Sequence, residues 1–297
     1  MSLSVTPLTD RLSLLRGLLV ICGLALLLGG CSTRFFYDRI DAFVVWKLGD
    51  YVTLTDEQKQ SLKADIQAHL DSVRENDLAR IAGFVDDVAR EVEAGPMTAD
   101  RFEARYWEAM QVYDEVILGL VPLTERFLLG LSDEQIDEFF TKVDKTNDEM
   151  YEEFFGRSAE EREKARNKSA IKGIQDFTGR LSKEQRLLVT DTLTRMEDAS
   201  DEWVSYQQLW RNEFRALVTD GPEGEAFTAQ LTRLMVYPRD LHSPEYRRRV
   251  DRNRVILNDM LEELSAGLSD KQRRKSVKKL DGYVEFLENL AASGRRS

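Results

Sequence analysis

Leu54-Thr55-Asp56-Glu57-Gln58 returns as Leu131-Ser132-Asp133-Glu134-Gln135, as Leu181-Ser182-Lys183-Glu184-Gln185 and as Leu268-Ser269-Asp270-Lys271-Gln272. Each copy places Ser or Thr three residues before Gln. That is the pattern of a capping box: the hydroxyl accepts from the N3 backbone N–H, and the Gln side chain reaches back to the N–H of the cap residue. Four helix starts follow, and with them an all-α fold. The leucine ahead of each cap is expected to pack inward. Only Leu131 has an apolar residue (Ile136) at the matching N4 position, so a full hydrophobic staple is expected once. The boxes are 77, 50 and 87 residues apart, which fits no fixed period. Shared capping chemistry explains them better than a regular solenoid.

Between the boxes the chain reads as helix almost throughout, an elongated multi-helix bundle. Leu62, Ile66, Leu70, Val73, Ile81, Val85, Val88 and Val92 recur at helical spacing and predict one long helix from about Asp56 to Ala94. Gly95-Pro96 ends it. A second helix follows Thr98, and Pro122 is expected to kink or break it ahead of Gly130. A third spans Asp133 to Phe155, a charged one Ala159 to Phe177, and another Lys183 to Val218 with an interruption near Ser200. Asp220-Gly221-Pro222 is a loop. Ser243-Pro244-Glu245 opens a helix with the cap at Ser243 and Pro at N1. The last two helices, about 244–265 and 270–292, read as an antiparallel hairpin. The expected organisation is a main helical domain over 51–220 and a C-terminal hairpin subdomain over 221–297.

The N-terminus carries a different signal. Arg11 and Arg16 precede an apolar run, Leu18 to Leu28, of eleven residues. That is well short of the roughly 20 needed to span a bilayer, and it has the length of a secretory h-region. Gly29-Gly30-Cys31 follows. The arrangement is similar to a bacterial lipoprotein signal: residues 1–30 form the signal peptide and Cys31 carries the lipid, palmitate among its chains. Ser32 stands where an aspartate would suggest retention at the inner membrane. By resemblance to proteobacterial sorting, the expected address is the outer membrane, facing the periplasm. The membrane is then a partner through lipid on Cys31. Residues 31–50 form an apolar connector rich in aromatics (Phe35, Phe36, Tyr37, Phe43, Trp46). It is expected to dock on the bundle, the alternative being rest in the lipid interface.

Cys22 leaves with the signal and Cys31 is acylated, so no thiol remains for a disulfide, a thiolate metal site or a nucleophile. From residue 31 onward the chain has 40 basic and 52 acidic side chains, a balance of −12. Residues 239–297 hold 14 basic and 10 acidic residues, net +4, which leaves −16 for 31–238. A secreted acidic chain has little reason to meet nucleic acid. The basic end, with Arg248, Arg249, Lys275 and Lys278, is a candidate contact for an anionic surface, beside the plainer reading of a solvated helix face.

Site chemistry is sparse. His69 and His242 are the only histidines. His69 lies one turn after Asp65, too few ligands to specify a transition metal. The Glu-x-x-His spacing of di-iron bundles is missing, and so are the P-loop, the Gly-x-Ser-x-Gly elbow and His-Glu-x-x-His. No cofactor is expected. Trp203, Tyr206 and Trp210 form a helical stripe that packs in the core or lines a groove for an apolar peptide or acyl chain.

Several stretches together resemble a family of proteobacterial lipoproteins of unknown function: Cys31-Ser32, Phe35-Tyr37-Asp41-Trp46, Asp50-Tyr51-Val52-Thr53-Leu54, Arg74-x-x-Asp77-Leu78, Lys145-Thr146-Asn147 before Tyr151, Glu160-Glu161-Arg162, and Phe177-x-Gly179-x-Leu181-x-x-x-Gln185. The family pattern has a Trp-His pair where Ser72-Val73 stand here. The resemblance implies location and helical character, and no reaction. The Leu-Ser/Thr-x-x-Gln motif is also similar to that of periplasmic stress chaperones. The expected role is non-enzymatic: a lipid-anchored periplasmic protein acting through an envelope protein partner, as adaptor, chaperone-like or envelope-maintenance factor. The alternatives are an envelope hydrolase using carboxylates and a lipid- or peptidoglycan-binding module.

Overall fold

The computed structural model describes residue 37 and residues 39–294. Cys31, the signal segment and Phe35-Phe36 lie outside the described residues. Among the described residues the order is α1 Ile40–Leu48, α2 Asp56–Asn76, α3 Leu78–Ala94, α4 Ala99–Leu129, α5 Asp133–Phe155, α6 Ala159–Thr178, α7 Lys183–Arg195, α8 Ser200–Asp220, α9 Glu225–Val236, a 3₁₀ turn Pro238–Leu241, α10 Pro244–Ala266 and α11 Asp270–Gly294, with no strand. The fold is an all-α multi-helix bundle.

The expected boxes close as the sequence reads: Thr55 with Gln58, Ser132 with Gln135, and Ser182 with Gln185. At the fourth, Ser269 N–H donates to Gln272 Oε1 at 3.0 Å and Gln272 N–H to Ser269 Oγ at 3.3 Å. Ser158 and Glu161 form a further box at the start of α6.

The boxes also fasten to one another in pairs. Gln58 Nε2 donates to Gly130 O at 2.7 Å, and Gln135 Nε2 to Thr53 O at 2.8 Å, while the two amides meet each other at 2.8–2.9 Å. Gln185 Nε2 donates to Gly267 O at 2.9 Å, and Gln272 Nε2 to Arg180 O at 3.0 Å, with their amides 2.9–3.2 Å apart. In all four cases the accepting carbonyl lies five residues before the partner glutamine. Each pair is therefore a local two-fold joint between helix starts. It also explains the choice of Gln. A glutamate can accept from its own cap, but only an amide can do so and still donate across the joint. The Ser158 box, which carries Glu161, shows no such cross-joint bond.

The long helix expected over 56–94 is two helices. Asp77 ends α2 and precedes α3, and its backbone bonds to Val73 and Ile81 keep the turn nearly continuous. The bend lets α2 pack on α1 and α4 while α3 packs chiefly on α11. Pro122 does the reverse of what its type suggests, for α4 runs unbroken through it. Ile117, Val121, Thr124 and Leu128 are buried on both sides of the proline and hold the helix. The carbonyl that loses its partner belongs to Leu118, an exposed residue that water reaches.

The interior has two large parts. Ile40, Val44, Leu62, Ile66, Leu78 and Leu287 bring α1, α2, α3 and α11 together. Ile117, Val121, Phe140, Phe214, Leu217 and Leu231 do so for α4, α5, α8 and α9. A small third cluster, Val189, Leu193 and Met260, joins α7 to α10. The described part of the connector docks: Tyr37, Ile40, Val44 and Val45 are buried, and Tyr37 OH donates to Leu70 O at 2.9 Å. Trp46 of the same helix stays exposed.

Helices on both sides of residue 220 pack on one another. The two C-terminal helices follow each other directly but find their main partners elsewhere, α10 on α4 and α7, α11 on α3, α6 and α2. Arg254 pairs with Glu103 at 3.0 Å, and Arg273 donates to the last carbonyls of α3 at Val92 and to Gly95.

Candidate functional site

The two large parts of the interior share Phe127, Leu131 and Phe139, which pack against both. A cavity of about 540 Å³ runs between residues of the two. That falls within the ~300–1,000 Å³ typical of small-molecule sites. Its wall draws on α1 (Ile40, Val44), α2 (Leu62, Ile66, His69), α3 (Ile81, Phe84), α4 (Val112, Val116, Leu120), α5 (Phe139, Phe140, Val143), α8 (Trp210, Phe214) and α11 (Phe286, Leu287). The space is only partly enclosed, and apolar matter entering it gains contacts with a mostly apolar wall.

One polar side chain on the wall, His69, has a plain local cause. His69 sits against α4 because residue 119 is glycine: a Cβ there would lie 3.1 Å from His69 Cε1. Burial pulls the imidazole pKa below its ordinary value, against Asp77 and the Gly119 backbone bond, which raise it. Asp65, one turn earlier, is bound instead to Arg126 at 2.8 Å. Among the described residues no three His, Cys, Asp or Glu side chains are placed to hold a metal ion, and the cavity wall contains no Asp or Glu.

Asn147 and Arg211 stand apart. Ile136, Phe140, Val143 and Asn147 are the buried face of α5. Asn147 is 6% exposed, and its Nδ2 has no hydrogen-bond partner within the protein. Arg211 faces the same side of α5 from α8. Its guanidinium lies 3.7 Å from Asp144 Oδ1, reaches Tyr151 OH at 3.5 Å, and covers the Tyr151 ring, yet its Nε is also buried without a partner. Asp144 is held more closely by Arg215, at 2.6 Å. Burial pushes the Tyr151 phenol above its ordinary pKa, opposed by Arg211. Trp210, next to Arg211, stacks on Phe214 and donates to Leu234 O at 2.8 Å. Of the Trp203–Tyr206–Trp210 stripe, Tyr206 is core and Trp210 lines the cavity.

A family model described as "Family of unknown function (DUF6279)" matches residues 50–247. The chain belongs to this family. No curated protein and no solved structure matches it. The matched span holds the first glutamine joint, most of the cavity wall, and both Asn147 and Arg211.

The four basic residues singled out in the sequence form two separate pairs. Arg248 bridges Glu245 and Glu197, each at 2.8 Å, and Arg249 pairs with Glu245 at 2.8 Å and Glu202 at 3.3 Å. Arg248 and Arg249 hold the Glu245 carboxyl down to about 2. Lys275 and Lys278 are exposed near the start of α11, and Lys275 lies against Gly179. About 18 residues of α10, ~27 Å of helix, separate Arg248 from the loop leading to α11. Cys31 lies outside the described residues, and among those described no helix is long and apolar enough to cross a membrane.

The Trp203–Tyr206–Trp210 stripe left a groove open as one of two readings, and Trp210 lines the cavity. Asn147 and Arg211 were not singled out as site residues, although Asn147 interrupts an apolar stripe at steps of four, three and four.

Proposed function

We propose that this chain is a lipoprotein, acylated on Cys31 and held at the periplasmic face of the outer membrane, that works by binding and not by catalysis. Its role class is that of an interaction protein: an adaptor, a chaperone-like factor or an envelope-maintenance factor. The observation that carries the reading is the apolar cavity between the two parts of the interior. Seven helices surround a space suited to the apolar part of a client. The Gly29-Gly30-Cys31 signal supports the address, and the docked α1 supports a body held close to its anchor.

The test has two arms. Radiolabelled palmitate is expected in the chain, and Cys31→Ala should abolish that label and move the protein out of the membrane fraction. A photo-crosslinking amino acid at Leu120 should capture an envelope component in cells, while the same group at Arg274 on the exposed side of α11 should not. Label that persists in Cys31→Ala, or equal capture from both positions, overturns the reading.

A further inference from the structure

Several polar atoms of the cavity wall are spent inside the protein. Tyr37 OH donates to Leu70 O, Trp210 Nε1 to Leu234 O, and Thr146 Oγ1 to Lys142 O. His69 is engaged with the Gly119 backbone. Two groups on the α5–α8 side are left, Asn147 Nδ2 and Arg211 Nε, both buried and both without a partner. Buried donors are nearly always paired. Leaving one unpaired forfeits much of its hydrogen-bonding energy. Arg211 Nε is a donor whichever way the Asn147 amide is turned, so the group that completes this corner must be an acceptor. The rest of the wall is mostly aliphatic and aromatic.

We infer that the cavity is an acyl-chain site: it takes a long hydrocarbon tail in its apolar body and the carboxylate or ester carbonyl at the end of that tail on Asn147 and Arg211. The inference rests on the binding role proposed above and names its ligand. A tail with many rotatable bonds can follow a space bounded by seven helices. The charge on the guanidinium suits an anionic or strongly polarised oxygen. A free fatty acid and the acyl ester of a lipid share this chemistry.

Trp210 sits on the wall beside Arg211 and supplies the readout. The full chain in nanodiscs is titrated with dibrominated stearate, with its methyl ester and with the dibrominated alkane, and bromine quenching of Trp210 is followed, with Trp210→Phe as the blank. Stearate should quench saturably. Asn147→Leu and Arg211→Met should each weaken stearate about tenfold or more and leave the alkane within about twofold. Methyl ester binding comparable to the acid assigns the site to acyl esters; binding tenfold weaker assigns it to free acids. Variants that weaken the alkane as much as the acid, or that leave the acid unchanged, overturn the inference while the cavity reading stands. Quenching by neither acid nor alkane removes the cavity reading itself.

Discussion

The two glutamine joints are built from the same hydrogen bonds and set in different surroundings. The Gln58–Gln135 joint is half-exposed, and the residues beside it, Leu62, Leu131 and Ile136, line the cavity. The Gln185–Gln272 joint is buried, and the nearby cluster of Val189, Leu193 and Met260 is small, with Ile171, Ile174 and Leu188 packed against it. One fastening thus stands beside the cavity and the other beside a small packed cluster. The joint fixes where helices begin relative to one another. Whether the space beyond it fills depends on the side chains the helices carry there.

Breaking the buried joint should have the largest effect. Gln272→Leu removes the buried amide's bonds to Gln185, to Arg180 O and to the Ser269 N–H, and the chain should lose about 2–3 kcal/mol in urea unfolding. Enlarging a side chain separates the two regions next. Leu193→Trp, in the packed cluster, should cost about 1–3 kcal/mol. Leu120→Trp, facing the cavity, should stay within about 0.5 kcal/mol of the parent or exceed it. Equal losses would mean the two interiors are packed alike. Gln135→Leu, at the joint water can reach, should cost about 1 kcal/mol, and Glu161→Gln, in the box without a cross-joint bond, less than about 0.5 kcal/mol.

The smallest effect expected is one of pH at the exposed joint. Lys142, with the Thr53 N–H and hydroxyl, holds the Glu138 carboxyl down to about 2. A carboxyl depressed in the folded state adds stability above its unfolded value of roughly 4.3, and that stability is lost as pH falls through the folded value. Urea midpoints should therefore drop more between pH 4.5 and pH 2.5 for the parent than for Glu138→Gln. Parallel curves would remove Glu138 from the joint.

Most helix starts were legible because capping is local: the hydroxyl, the N3 amide and the leucine ahead of them lie within five residues. Pro122 misled for the same reason. A local rule predicts a break, and burial of α4 on both sides of the proline overrides it. The bend at Asp77 left no trace in the stripe, since apolar residues continue in step across it. Pairing of the boxes was not legible as distance, yet Gln in place of the commoner Glu at N3 was a chemical hint of a second duty. The cavity belongs to no residue. Its wall is assembled from seven helices far apart in sequence, and the polar Asn147 on the apolar face of α5 was one local mark of it.

The central claim is that the interior between the two core clusters receives apolar matter. Fluorescence titration with N-phenyl-1-naphthylamine, a neutral apolar probe, tests it without reference to any head group. The chain should show one saturable site, weakened in Leu120→Trp while that variant unfolds at the parent's urea midpoint. Equal signal from both proteins, or none from either, would contradict it.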